Sequence, residues 1–184
     1  MGLVGRAIRG RACVVGLIFA VTNAAHTAAP LEEYQIKAAY MLNFARFIEW
    51  PESDSSRGPI IVGVVGTDPF GDALDSTLAG KTVRGRPFSV RRFRSVQEID
   101  ECHMLFISSS EAARIAALVQ HFNKTAVLTV GDSRGFVDSG GGIGFVVADN
   151  RVRFDINLNA LASARLKASA QLLEVAHALR GSLK

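Results

Sequence analysis

Ile60 to Gly66 reads IIVGVVG, a run with no polar side chain. Successive side chains of a strand point to opposite faces, so this sequence favours a central strand covered on both sides over a half-exposed one. His103 to Ser108 (HMLFIS) and Ala126 to Val130 (AVLTV) read as two further core strands. The stretches between them carry a helical period. Strands alternate with helices in the middle and pair locally near both ends. The expected fold class is α/β: a single domain with a mixed β-sheet covered by helices, a Rossmann-like sandwich. A length of 184 residues suits one such domain, and 48% hydrophobic residues suffice to fill its core.

The flanking elements follow from spacing and punctuation. Tyr34, Ala38, Met41, Ala45 and Ile48 form one stripe of a helix over 31–49, which Phe44 and Phe47 widen and Pro51 stops. Residues 52–58 form a polar loop. Asp68 is expected to cap a helix opened by Pro69 and ended by Gly80. Two short strands lie around Arg84-Gly85, and Ser95 to Glu98 reads as a capping box. Ser109 or Ser110 caps a helix through Phe122, with Ala113, Ala117, Leu118 and Phe122 as its buried stripe. Gly131 to Gly142 is a glycine-rich connection. Residues 144–147 and 152–157 form a hairpin around Asp149-Asn150. Residues 160–179 are expected to close the fold as one helix, with Leu161, Ala164, Ala168, Leu172, Val175 and Leu179 on one side.

The first 29 residues have a different logic. Arg6, Arg9 and Arg11 precede the apolar run Ala12 to Val21, and small residues follow, with Ala24, Ala25, Ala28 and Ala29 as candidate cleavage positions. This is the pattern of a signal peptide over 1–29, and a membrane span would need about 20 apolar residues. Residues 30–184 are then the mature, exported domain. Without the three leader arginines, 18 of the 21 basic residues remain against 17 acidic ones. A net charge near +1 removes the electrostatic case for a nucleic-acid partner. Cys13 leaves with the leader. Cys102 remains alone, a buried inert thiol or one that pairs between chains.

Tests for chemistry mostly fail. Gly80-Lys81-Thr82 lacks the first glycine of a phosphate loop, since Asp75 stands there. Gly63 and Gly66 do not complete a dinucleotide fingerprint. Ser139 lacks the first glycine of a nucleophile elbow. Cys102 and His103 are adjacent, so on a strand they point apart and cannot share a metal ion. His121 and His177 read as lone helical residues. Glu32-Glu33 and Asp100-Glu101 read as solvated charge. No catalytic residue, cofactor site or metal site is assigned, and a binding or regulatory module is favoured over an enzyme.

Several segments in order resemble the YfiR family of periplasmic proteins. They are Ile36 to Tyr40 with Asn43-Phe44 and Phe47 to Pro51, Gly66 to Gly71, Gly80-Lys81 with Gly85-Arg86, and Cys102 to Ser108. Leu128 to Asp132, Gly135-Phe136 with Gly141 to Ile143, Asn150 to Asn157, and Leu166 to Ser169 before Leu172-Leu173 complete the series. The resemblance implies an exported, often dimeric domain without chemistry. It implies a partner too: the periplasmic part of an inner-membrane diguanylate cyclase, which the domain holds off, lowering cyclic-di-GMP and biofilm formation. Some members carry disulfides linked to redox state, for which Cys102 has no mature intramolecular partner here.

Two surface features are candidates for partner binding. In Val152 to Asn157, alternation turns Val152, Phe154 and Ile156 to the core and Arg153, Asp155 and Asn157 outward together. Trp50, at a helix end beside Pro51, suits an aromatic anchor. The competing reading is a small-molecule sensor acting with a membrane histidine kinase or receptor, its crevice formed by the strand ends near Gly66 and Gly131.

Overall fold

A computed structural model describes residue 2, residues 28–51 and residues 58–182. The expected leader lies outside the described residues apart from Gly2 and its last two positions, and residues 52–57 of the polar loop lie outside them as well. The chain runs α1 (Ala28–Phe47), β1 (Ile48–Glu49), β2 (Ile60–Val65), α2 (Ala73–Leu78), β3 (Thr82–Val83), β4 (Arg86–Phe93), β5 (Met104–Ile107) and α3 (Ile115–Phe122). It continues through β6 (Leu128–Gly131), β7 (Ile143–Ala148), β8 (Arg151–Asn157), α4 (Leu158–Ser163), β9 (Lys167–Ala168), α5 (Ala170–Glu174) and β10 (Ala178–Arg180).

Eight strands form one sheet in the order β10-β8-β7-β6-β5-β2-β4-β3. The run from β4 through β2, β5 and β6 to β7 is parallel. The pairs β7–β8 and β3–β4 are antiparallel, and β10 lies parallel to β8. The three apolar runs are the sheet's interior, and every residue of β2, β5 and β6 is buried. Their alternation feeds two cores. Ile60, Val62, Val64, Met104, Phe106, Leu128 and Val130 pack with α1, α2, α4 and α5. Val65, Leu105, Ile107 and Phe93 pack with α3 and Phe136 on the other face. Such double cover is what parallel strands require. On α1, Ala38, Met41, Phe44, Ala45 and the following Ile48 are fully buried, and Phe44 meets Phe154 edge-on at 5.0 Å between centroids. The stripe is as expected, but Ile48 and Glu49 leave the helix to pair with β9.

The main correction is at the C-terminus. In place of one helix over 160–179 there are two short helices and two short strands. Asn157 Oδ1 accepts the Ala160 N–H at 3.0 Å and starts α4 early. Arg165 then adopts a positive φ of 58°, and Leu166 N–H returns to the Leu161 carbonyl at 2.8 Å. Ser169 accepts the Leu172 N–H at 3.3 Å and starts α5 afresh. Asn and Ser compete locally for backbone donors, so these two caps cut an amphipathic run that looked continuous. Leu161, Ala164 and Leu172 do reach the core, whereas Val175 and Leu179 are exposed.

Smaller corrections have similar causes. Asp68 does not cap a helix: its Oδ1 accepts the Phe70 N–H at 2.8 Å in a turn, and α2 starts only at Ala73. Ser108, not Ser109 or Ser110, caps the 3₁₀ stretch Ser109–Arg114 that precedes α3. That stretch rotates the helix, so Ile115, Leu118, Val119 and Phe122 face the core while Ala113 and Ala117 are exposed. Ser95 makes no side-chain capping bond, although Glu98 accepts the Arg94 N–H at 3.0 Å. The β7–β8 hairpin turns at Asp149 and Asn150, both at positive φ (50° and 56°), the geometry of a type I′ turn.

Candidate functional site

In an open α/β sheet, ligands enter at the carboxyl ends of strands where the connections leave in opposite directions. Here that point lies between β2 and β5. The link from β2 to β4 carries α2 on one face, and the link from β5 to β6 carries α3 on the other. Gly66, at φ +90°, is the turn out of β2. A Cβ there would stand 2.5 Å from Ser110 Oγ and 2.8 Å from Glu111 Cγ. Ser110 Oγ also accepts the Thr67 N–H at 2.9 Å. The place where an anion would meet backbone amides is therefore filled by the protein's own side chains. At the end of β6, a Cβ on Gly131 would lie 2.5 Å from the Phe136 ring, which is 1% exposed. Gly131 and Gly141 make room for this phenylalanine rather than for a ligand.

Next to Gly131, Asp132 anchors α1. Tyr34 Oη donates to Asp132 Oδ2 at 2.6 Å, and Lys37 Nζ donates to the same oxygen at 2.7 Å. Lys37 also reaches Glu33 at 2.7 Å and lies 4.1 Å from the centroid of the Tyr34 ring. The Lys37 and Asp132 side chains are 4% and 6% exposed, so each charge depends on the other. Burial, and then the bond to Asp132, holds the Tyr34 hydroxyl well above the usual tyrosine range. Sequence reasoning did not pair these residues. The available signal was a lysine between Tyr34 and Met41 on an apolar helix stripe, a position that requires a buried anion.

The other polar candidates have structural work. His103 is buried, and its Nδ1 accepts the Ile61 N–H at 3.1 Å. Its Nε2 lies 2.8 Å from Arg86 Nη2, a group that can only donate. Both ring nitrogens are therefore engaged, Nδ1 by a backbone amide and Nε2 by a guanidinium. Half-buried Trp50 donates from Nε1 to the His103 carbonyl at 3.3 Å and packs against the larger core, so it closes the lower end of β5. Cys102 packs against the second core, and its Sγ donates to the Met104 carbonyl at 2.9 Å. Burial pushes the thiol up to about 12, which fits the inert reading. Ser139 Oγ donates to the Gly135 carbonyl at 3.1 Å in an exposed turn. Among the described residues, no group of three His, Cys, Asp or Glu side chains could hold a metal ion.

On β8 the alternation is as expected, but solvent exposure is not. Phe154 and Ile156 enter the core, while Arg153, Asp155 and Asn157 share the opposite face. Asp155 is nevertheless 6% exposed, because β10 pairs beside it and His177 Nδ1 lies 2.8 Å from its Oδ1. His177 is thus a carboxylate's partner and not a lone helical residue. Asn157 donates to the Val137 carbonyl at 2.9 Å as well as capping α4. Arg153 and Asn157 are half-buried, and Arg153 has no ion-pair partner among the described residues.

Together these features define a class: a single-domain α/β protein with a mixed sheet, whose strand-end crevice is closed by its own side chains. The chain belongs to the YfiR/HmsC-like family, whose model matches residues 34–177. No curated protein matches it. Among solved structures it is similar to a conserved domain protein from Vibrio cholerae O1 biovar El Tor, with a TM-score of 0.53 and 10% identity. That match covers 78% of this chain and 60% of the other, so this chain spans under two thirds of its structural neighbour, and the likeness concerns the fold. Among the described residues, no helix is long and apolar enough to cross a membrane.

Proposed function

We propose that this protein is an exported regulator that binds the periplasmic part of an inner-membrane signalling protein, a diguanylate cyclase, and holds it inactive. The observation that carries this reading is membership of the YfiR/HmsC-like family across residues 34–177. The filled crevice supports it: Ser110, Glu111 and Phe136 occupy the places where a small-molecule sensor would need room. Repression then works by differential affinity. The domain lowers cyclic-di-GMP only as far as it binds the inactive receptor conformation more tightly than the active one.

Deletion of the gene is expected to raise cyclic-di-GMP, and a plasmid copy to restore it. Fractionation is expected to recover a shortened chain from the periplasm. Unchanged cyclic-di-GMP after deletion, or a full-length chain in the cytosol, sinks the reading.

A further inference from the structure

The sheet is covered unequally on its α3 side. There, α3 and Phe136 pack over β2, β5 and β6. The register places Arg151, Arg153 and Asp155 of β8 on that side, opposite Ala148, Val146 and Gly144 of β7. It sets Ala178 and Arg180 of β10 beside Asp155 and Asn157. Val146, Ala148 and Ala178 are half-buried, and Arg151 is exposed. Charges on this patch are asymmetric. The carboxylate of Asp155 is covered and held by His177, and Asp138 engages Arg180 at 3.5 Å. Arg151 and Arg153 have no ion-pair partner among the described residues. Two residues apart on one strand, their side chains emerge about 7 Å from each other.

We propose that this face of β7, β8 and β10 docks an acidic polypeptide segment of the regulated membrane protein, its carboxylates taken by Arg151 and Arg153 and its apolar side chains laid on Val146, Ala148 and Ala178. The inference rests on the regulatory reading above and names its contact surface. Guanidinium forks bind carboxylates in pairs of parallel hydrogen bonds, which gives register as well as attraction. A lipid surface fits less well, since headgroup binding takes clusters of about four to eight basic residues and this patch offers two unpaired ones.

The test uses the full chain, returned to the deletion strain as wild type, as Arg151→Glu, as Arg151→Glu with Arg153→Glu, and as Arg151→Lys with Arg153→Lys. Each product is purified from the periplasm, and its melting temperature and its flotation with phosphatidylethanolamine–phosphatidylglycerol vesicles are recorded. Arg151→Glu sits at an exposed position and keeps the test valid if the double variant folds poorly. The expected result is wild-type stability for Arg151→Glu, about tenfold weaker repression, a smaller loss for the lysine pair, which keeps the charge but not the fork, and no vesicle binding. Lysine substitution of a Glu or Asp in the cyclase's periplasmic segment is expected to restore repression by Arg151→Glu. Full repression by both Glu variants, or vesicle binding by the wild type that Arg151→Glu abolishes, overturns the proposal. If deletion itself leaves cyclic-di-GMP unchanged, the regulatory reading has failed and takes this surface with it; a response to deletion with active Glu variants defeats the surface alone.

Discussion

The middle of the sheet and its β7–β8–β10 end are made of similar strands under different cover. In β2, β5 and β6, both faces meet helices, and a glycine at a strand end is matched by a ring or a hydroxyl from the next connection. At the far end, α1 and α5 cover one face, while the other carries arginines, small apolar residues and the His177–Asp155 pair. At the centre, the protein's own side chains fill the strand ends at Gly66 and Gly131. The edge can carry charge because its second face remains partly wet. Under the proposed function, recognition falls to this periphery and the interior supplies rigidity.

The largest expected effect tests the closed centre. Phe136→Ala empties a fully buried ring site against Gly131 and should cost about 4 kcal/mol, read by denaturant unfolding. A loss under 1 kcal/mol would mean that the crevice collapses easily and that its closure is incidental. Next, Lys37→Ala strands the Asp132 carboxylate and should cost about 3 kcal/mol, whereas Arg153→Ala at the wet edge should cost under about 0.5 kcal/mol. Equal losses at the two sites would erase the contrast.

Two titrations sharpen the same contrast. Of the two tyrosines, Tyr34 should stay protonated through the range where an ordinary tyrosine ionises, as seen by ultraviolet titration. Its folded value lies above the unfolded one. The stability it contributes is therefore whole below about pH 10 and is lost as pH climbs through the raised value. Cys102, pushed up to about 12 chiefly by burial, should resist a thiol reagent at pH 8 until the protein is unfolded. Rapid labelling of the native protein at that pH would refute the inert assignment.

A small effect is also expected on the exposed strut between β4 and α2. The Arg92 guanidinium bonds Asp68 at 2.7 Å and Asp75 more closely still, and the bond to Arg92 holds the Asp75 carboxyl below its usual range. That stability is present above the unfolded carboxylate value and fades as pH falls through the lowered one. Both side chains are 40–50% exposed, so solvent screening limits Arg92→Ala to about 0.5–1 kcal/mol, measured as a small change in the denaturant midpoint.

Legibility in the sequence followed the range of the forces involved. The IIVGVVG run, the α1 stripe and the Asp149-Asn150 turn were readable because each is settled by residues within a few positions. The helix expected over 160–179 was misread because its period was correct while its partners were not. Lys167 and Ala168 pair with Ile48 and Glu49, more than a hundred residues earlier, and Ala178 pairs beside Asp155. For the candidate surface, alternation placed Arg153 and Asp155 on one side correctly but could not show that β10 and His177 would cover the carboxylate.

What the sequence determined unaided is the layered α/β plan, since apolar periodicity dictates which strands must be covered twice. Only the tertiary structure decided that the strand ends are shut, that Lys37 and Asp132 share a buried charge pair, and that the unpaired charge on β8 lies at Arg151 and Arg153. The reason is physical: periodicity reports the burial a segment needs, whereas the identity of its cover depends on contacts between residues far apart in the chain.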